Sequence, residues 1–126
     1  MGQGFLMGTN VVIGYLSDQL PTAGAAIIDK LPGVISVITR IELLGWYNAS
    51  TDQLSKLRPF IDSAQIYSLS EDIIQQTIVL RQKHRIKLPD AVVAATAIVY
   101  NHTLISRNVV DFENIKGLDF QNPWLW

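Results

Sequence analysis

Cysteine is missing from the 126 residues, which excludes a disulfide framework, thiolate catalysis and a thiolate-bound metal. A reducing compartment suits such a chain. An excess of charge is missing too, since ten basic and eleven acidic side chains give a formal charge of −1. That argues against coating by nucleic acid through bulk charge, and leaves room for a local basic patch. No apolar run reaches membrane length. The longest, Ala91 to Tyr100, covers about half a bilayer span. Met1 to Asn10 is too short and too uncharged for a signal peptide, so a cytoplasmic protein without membrane contact is expected. The 48% hydrophobic fraction is that of a globular protein. Its length suits one domain over residues 1–126, without repeats, low-complexity tracts or a linker.

Short apolar segments alternate with longer helical ones. Phe5-Leu6-Met7, Val34-Ile35-Ser36, Gln65-Ile66-Tyr67 and Thr103-Leu104-Ile105-Ser106 read as strands, and Leu118 to Phe120 as a weak fifth. Thr9 or Asn10 is placed to cap a helix over Val11 to Leu16. A second short helix is read over Ala23 to Leu31, and a third from Thr39. Thr51 to Ile61 is a further helix that Pro59 should bend or end. Ser70 caps a helix from Glu71 to about His84. Leu88-Pro89-Asp90 opens the clearest helix, because proline suits a first turn where its missing N–H has no helical partner. Its alanine-rich body is apolar nearly all round and should lie buried on a sheet, with Ala91, Ala94, Ala95 and Ile98 largely inside. The alternation predicts an α/β fold with a parallel sheet covered on both faces.

Ligands of open α/β sheets bind beyond the carboxyl ends of the strands. Four segments place polar residues there: Gly8-Thr9-Asn10, Thr39 to Glu42, Asp90, and Ser106 to Asp111. Three carry a carboxylate. Clustered carboxylates repel one another unless a positive charge sits among them, and an all-oxygen set suits magnesium or manganese. Each has a second reading. Thr39-x-x-Glu42 also has the form of a capping box, Asp90 of a first-turn acid favoured by the helix dipole, and Asp111 and Asn10 of simple caps. Arg81, Lys83, His84, Arg85 and Lys87 form a charge run, read either as a solvated helix end or as a surface steering phosphate toward Asp90. His84 reads as a surface residue and His102 as a turn residue. Trp124 and Trp126 serve either to pack the tail down or to form an interface.

The order and spacing of these segments resemble the PIN-domain family, specifically the VapC-type toxins of prokaryotic toxin–antitoxin pairs. The resemblance rests on Met7-Gly8-Thr9-Asn10-Val11, on Glu42 in Ile38-Thr39-Arg40-Ile41-Glu42-Leu43, and on Leu88-Pro89-Asp90 with its alanine-rich helix. Thr103-Leu104-Ile105-Ser106-Arg107-Asn108-Val109-Val110-Asp111-Phe112 and the ending Gly117 to Trp124 complete it. It implies a PIN-like, Rossmann-like three-layer sandwich with a central parallel sheet in the order 3-2-1-4-5. It also implies an endoribonuclease that hydrolyses RNA phosphodiester bonds with Mg2+ or Mn2+, a homodimer, and a small antitoxin that covers the groove. By the same resemblance Glu42, Asp90 and Asp111 hold the metal and Asn108 joins them in catalysis. Thr9, Ser106 and Asn108 orient water or phosphate, Asn10 supports them, and Arg107 or Arg40 contacts phosphate.

One position departs from the pattern. Gly8 stands where the family carries its first aspartate, and glycine has no side-chain ligand. Impaired catalysis is therefore expected. The alternatives are a silent PIN-like domain that still binds RNA or an antitoxin, and an interaction module relying on its tryptophan tail. A phosphotransfer protein is disfavoured, since it needs an aspartate after a central strand and a nearby lysine.

Overall fold

The computed structural model describes residues 4–126; the first three residues of the segment judged unfit as a signal peptide lie outside the described residues. In chain order the elements are β1 (Phe5–Met7), α1 (Thr9–Leu16), α2 (Thr22–Ile28), β2 (Val34–Ser36), α3 (Val37–Leu44) and α4 (Thr51–Ser63). They continue with β3 (Gln65–Tyr67), α5 (Glu71–Lys83), α6 (Leu88–Val99), β4 (Thr103–Ile105), α7 (Val109–Phe112) and β5 (Phe120–Gln121). A 3-10 turn over Pro123–Leu125 ends the chain.

All strand pairs are parallel. β1 lies against β4 with Met7 opposite Ile105, β4 against β5, and β2 against β3 with Ser36 opposite Tyr67. β1 and β2 run side by side, although ladder bonding divides the sheet into β1-β4-β5 and β2-β3. The order across the molecule is thus 3-2-1-4-5, as the resemblance implies. Successive strand residues point to opposite faces, and each strand feeds two cores. Leu6, Val34 and Leu104 join one with Ile73, Leu80 and the alanines of α6. Met7, Ile35 and Ile105 join the other with Val11, Val12, Leu43 and Leu57. Two apolar residues in a row suffice for a strand buried on both sides, which is why such short segments hold the sheet.

α6 follows its sequence closely. Pro89 sits in the first turn, and every residue from Ala91 to Ala97 is buried. Ile98, expected inside, is only partly buried, packed against the edge of the core. Three helix starts and one interior differ from expectation. Gly8 precedes α1 without a side-chain cap, so Thr9 and Asn10 are first-turn residues with their side chains free for other partners. α3 starts at Val37, capped by Ser36 Oγ, which accepts from the Ile38 N–H at 3.1 Å. Thr39 is therefore inside the helix, and Thr39-x-x-Glu42 is not a capping box. The capping box lies instead at Ser50 and Gln53, and α2 begins at Thr22. α4 runs through Pro59. The proline and Ser55, whose carbonyl loses its donor, both face solvent, where water replaces the lost bond.

The tail is packed down. A Cβ on Gly14 of α1 would lie 2.8 Å from the Trp124 ring, and one on Gly24 of α2 would lie 2.4 Å from the Pro123 carbonyl oxygen. Trp126 meets Phe5 edge-on at 6.1 Å. Among the described residues no helix is long and apolar enough to cross a membrane.

Ala94 is fully buried in α6. Ala94→Asp is expected to bury an unpaired carboxylate and to destabilise the fold by roughly 3 kcal/mol or more. Thermal unfolding followed by circular dichroism checks this; an unchanged melting temperature would show that α6 does not pack as described.

Candidate functional site

The carboxyl ends of β1, β2 and β4 meet at one edge. Register places them there: Met7 pairs with Ile105, and the next N–H, that of Gly8, donates to the Ile105 carbonyl at 2.9 Å. Gly8 has φ −71° and ψ 160°, an extended conformation open to any residue. Its backbone does not require glycine.

Around Gly8 the polar side chains form two linked groups. In the first, Thr9 Oγ1 donates to Glu42 Oε1 at 2.6 Å and lies 3.1 Å from Thr39 Oγ1. A hydroxyl has one proton. With that proton on the carboxylate, the fully buried Thr39 hydroxyl donates to Thr9. In the second, Asn10 Nδ2 donates to Ser106 Oγ at 3.4 Å, and Asn10 Oδ1 accepts from the Arg107 N–H at 3.2 Å. Ser106 Oγ accepts from the Asn108 N–H at 3.0 Å, and Asn108 Nδ2 donates to Asp111 Oδ2 at 2.6 Å. The Thr9 and Asn10 side chains are free for this because neither caps α1.

Asp90, in the first turn of α6, completes the group. Partial burial, a hydrogen bond with Asp111, and the negative charges of Asp111 and Glu42 push its carboxyl up from 3.8 to about 6; the Lys87 ammonium opposes the shift. The acids are thus close enough for Asp111 and Glu42 to act on Asp90. A cavity of about 240 Å³ opens among Gly8, Thr9, Asn10, Glu42, Asp90, Ser106 and Asn108. Asp111 reaches it through Asn108 and Asp90. Arg107 does not line the cavity, and its guanidinium lies over the Trp124 ring, 4.7 Å from the centroid.

The structure therefore brings Glu42, Asp90, Asn108, Thr9, Asn10 and Ser106 to one cleft, with Asp111 behind it. Sequence reasoning missed the apolar walls, Ile13, Val93 and Phe112. The first two had a signal, standing three residues after Asn10 and Asp90, where a helix places neighbours on one side. It also missed Thr39 as the support of Thr9. A larger hollow of about 660 Å³ lies elsewhere, between α1, α2 and α4. There a hydrogen bond to Asp29, together with burial, raises the Tyr15 hydroxyl to about 12. Among the described residues, carboxylates from α3, α6 and α7 converge at the carboxyl edge of the sheet, and that edge is the cleft.

The cleft was tested for a divalent cation. Among the described residues no group of three or more His, Asp or Glu side chains is arranged to hold one. Glu42 is directed at Thr9 and Asp111 at Asn108, and Gly8 offers nothing at the strand end. As placed, these side chains do not form a ready-made set of metal ligands.

The fold and site together define a three-layer α/β protein with an acidic cleft at the carboxyl edge of a parallel sheet. Comparison with known proteins is specific. The PIN domain family matches residues 7–118, and the chain belongs to that family. It is 32% identical to a chain of a toxin–antitoxin complex from Klebsiella pneumoniae, covering 94% of this chain and 96% of that one, with a TM-score of 0.74. It is 24% identical to a chain of VapBC2 from Rickettsia felis bound to a promoter DNA fragment (94% and 97% covered, TM-score 0.79). It is 20% identical to a chain of DNA-bound VapBC from Salmonella typhimurium (98% and 99%, TM-score 0.79). The fold is that of the VapC-type PIN ribonucleases. No match was found among curated protein sequences.

The raised Asp90 carboxyl has a consequence for stability. Unfolded, the group titrates near 3.8; folded, near 6. Between these values the folded chain holds more protons, so this contribution is fully present below about pH 4 and is lost as pH rises through about 6. Asp90→Asn removes the dependence. In EDTA buffer the melting temperature of Asp90→Asn minus that of the wild type is expected to increase from about pH 4 to about pH 7. A difference that stays constant with pH would contradict the assignment.

Proposed function

We propose that this chain is a catalytically silent PIN domain, spanning residues 1–126, that retains RNA binding at its acidic cleft and pairs with a small antitoxin. Gly8 carries the proposal. At the end of the central strand, beside Ile105 and Ser106, a side chain would enter the edge region shared by Glu42 and Asp90, and none is there. Two of the remaining acids are compensated within the chain, Glu42 by the Thr9 hydroxyl and Asp111 by the Asn108 amide, and Asp90 takes up a proton more readily than a free carboxyl does. The roles by resemblance, Glu42, Asp90 and Asp111 as ligands of Mg2+ or Mn2+ with Asn108 beside them, describe a parent site with an aspartate at position 8. Thr9, Asn10 and Ser106 hold the cleft's shape in either case. Relatives solved as toxin–antitoxin complexes support the antitoxin partner. A cytoplasmic homodimer is part of the same reading.

A Cβ at position 8 would lie 3.2 Å from the Ile105 carbonyl oxygen and 3.4 Å from Ser106 Cβ. Gly8→Asp therefore needs a shift of a few tenths of an ångström, with an expected loss of about 1 kcal/mol from overcrowding. The test compares wild type and Gly8→Asp on total RNA with magnesium, with EDTA, and with Asp90→Asn added to each, alongside manganese titration calorimetry. The wild type is expected to cleave no faster than its Asp90→Asn control and to take up no manganese. Gly8→Asp is expected to gain both metal uptake and Asp90-dependent cleavage. Magnesium-dependent cleavage by the wild type that disappears with Asp90→Asn would overturn the silent reading.

A further inference from the structure

The acidic cleft poses an electrostatic problem for any RNA lying in it. Its lining has Glu42 and Asp90 but no basic residue, so a polyanion crossing it requires cations at the rim. Two basic residues border it in the chain. Lys87 lies near enough to Asp90 to oppose its pKa shift, on an exposed and flexible stem. Arg107 stands between Ser106 and Asn108, both in the lining, and its backbone N–H is held by Asn10.

Arg107 is exposed and held in an unusual way. Among the described residues its guanidinium makes no ion pair or hydrogen bond, although Glu42, Asp90 and Asp111 belong to the neighbouring cleft. It lies over the Trp124 ring instead, 4.7 Å from the centroid. Trp124 is itself fixed. Its ring occupies the space that a side chain at Gly14 would fill, and its N–H donates to Asn122 Oδ1 at 3.0 Å. Stacking orients a guanidinium through its flat face and leaves the N–H donors around its edge unspent. Those donors match the paired oxygens of a phosphodiester.

We propose that Arg107, held over the Trp124 ring, grips a backbone phosphate of single-stranded RNA at the rim of the acidic cleft, with Trp124 as its positioning residue. The proposal rests on the RNA-binding part of the reading above. It favours RNA over an acidic protein segment because a phosphodiester backbone carries a charge at every unit and so must bring negative charge to the rim wherever it leaves the cleft. Phosphate contact by a rim arginine is independent of base sequence and requires no cleavage.

The experiment measures binding of a fluorescein-labelled, mixed-sequence single-stranded RNA to the full chain by fluorescence anisotropy, in EDTA and over a series of salt concentrations. Arg107→Ala, Arg107→Lys and Trp124→Leu are compared with Arg58→Ala, which removes the same charge from the exposed face of α4. Arg107→Ala is expected to weaken binding on the order of tenfold and to reduce the slope of log K against log salt by about 0.7, the value for one phosphate contact on a single strand. Arg107→Lys and Trp124→Leu keep the charge but lose the stacked orientation, so affinity should fall several-fold with the slope nearly unchanged. Arg58→Ala should bind as the wild type does. Circular dichroism melts accompany each variant. If Arg107→Ala lowers the melting temperature but binds RNA as well as Arg58→Ala, Arg107 only clamps the tail and the proposal is overturned. If the wild type binds no RNA, the RNA-binding reading of the cleft fails with it.

Discussion

The molecule depends on the parallel pairing of β1 with β4. Three residues on each side suffice, because Leu6 and Leu104 enter one core while Met7 and Ile105 enter the other. The pairing continues one step past the strands, in the hydrogen bond from the Gly8 N–H to the Ile105 carbonyl. That bond sets residues nearly a hundred positions apart side by side. Asn10 can then hold both Ser106 and the backbone of Arg107. A slip of one residue would send both apolar pairs to the wrong faces and would dissolve the cleft with the core.

The cleft built on this pairing is a compromise between charge and burial. Bringing carboxylates together, Asp90 and Asp111 partly buried and Glu42 exposed, costs free energy through desolvation and mutual repulsion, and the chain offsets that cost with its own groups. A hydroxyl relay from the buried Thr39 through Thr9 serves Glu42 and the Asn108 amide serves Asp111, while the Asp90 carboxyl is left with a raised affinity for a proton. Each of these groups neutralises or orients an acid in place of a cation. The absence of a fourth carboxylate at Gly8 removes further repulsion, so the arrangement is one in which the folded chain can persist without a metal ion. The RNase fold and the silent reading of the site are compatible for that reason: the fold is held by the apolar pairs, and the chemistry by a few acids at their ends.

The C-terminal tail shows how missing side chains shape the site. Gly14 and Gly24 are buried in two different helices, and what fills their space is Trp124 and the Pro123 carbonyl. The tail thereby ties α1 to α2 and supplies the surface on which Arg107 rests. Residues at the far end of the sequence thus govern the rim of a cleft whose acids come from its middle.

Much of this was legible beforehand. Leu88-Pro89-Asp90 followed by alanines fixed the start, direction and burial of α6, and paired apolar residues marked the strands, because local propensity and tertiary packing agree there. The resemblance in motif order then singled out Glu42, Asp90, Asn108 and Gly8. Misreadings fell where a short polar side chain had two outlets. Thr9 and Asn10 look like caps, yet partners distant in sequence take their side chains; Thr39 looks like a helix start, yet Ser36 has that place; of the two outcomes open at Pro59, an end or a bend, the helix does not end there. By itself the sequence determined the fold class, the helix of Asp90 and the lack of a carboxylate at position 8, since these depend on periodicity and residue type. Only the tertiary structure decided which acid meets which donor and where Arg107 rests, because those contacts join segments that become neighbours only when the sheet has closed.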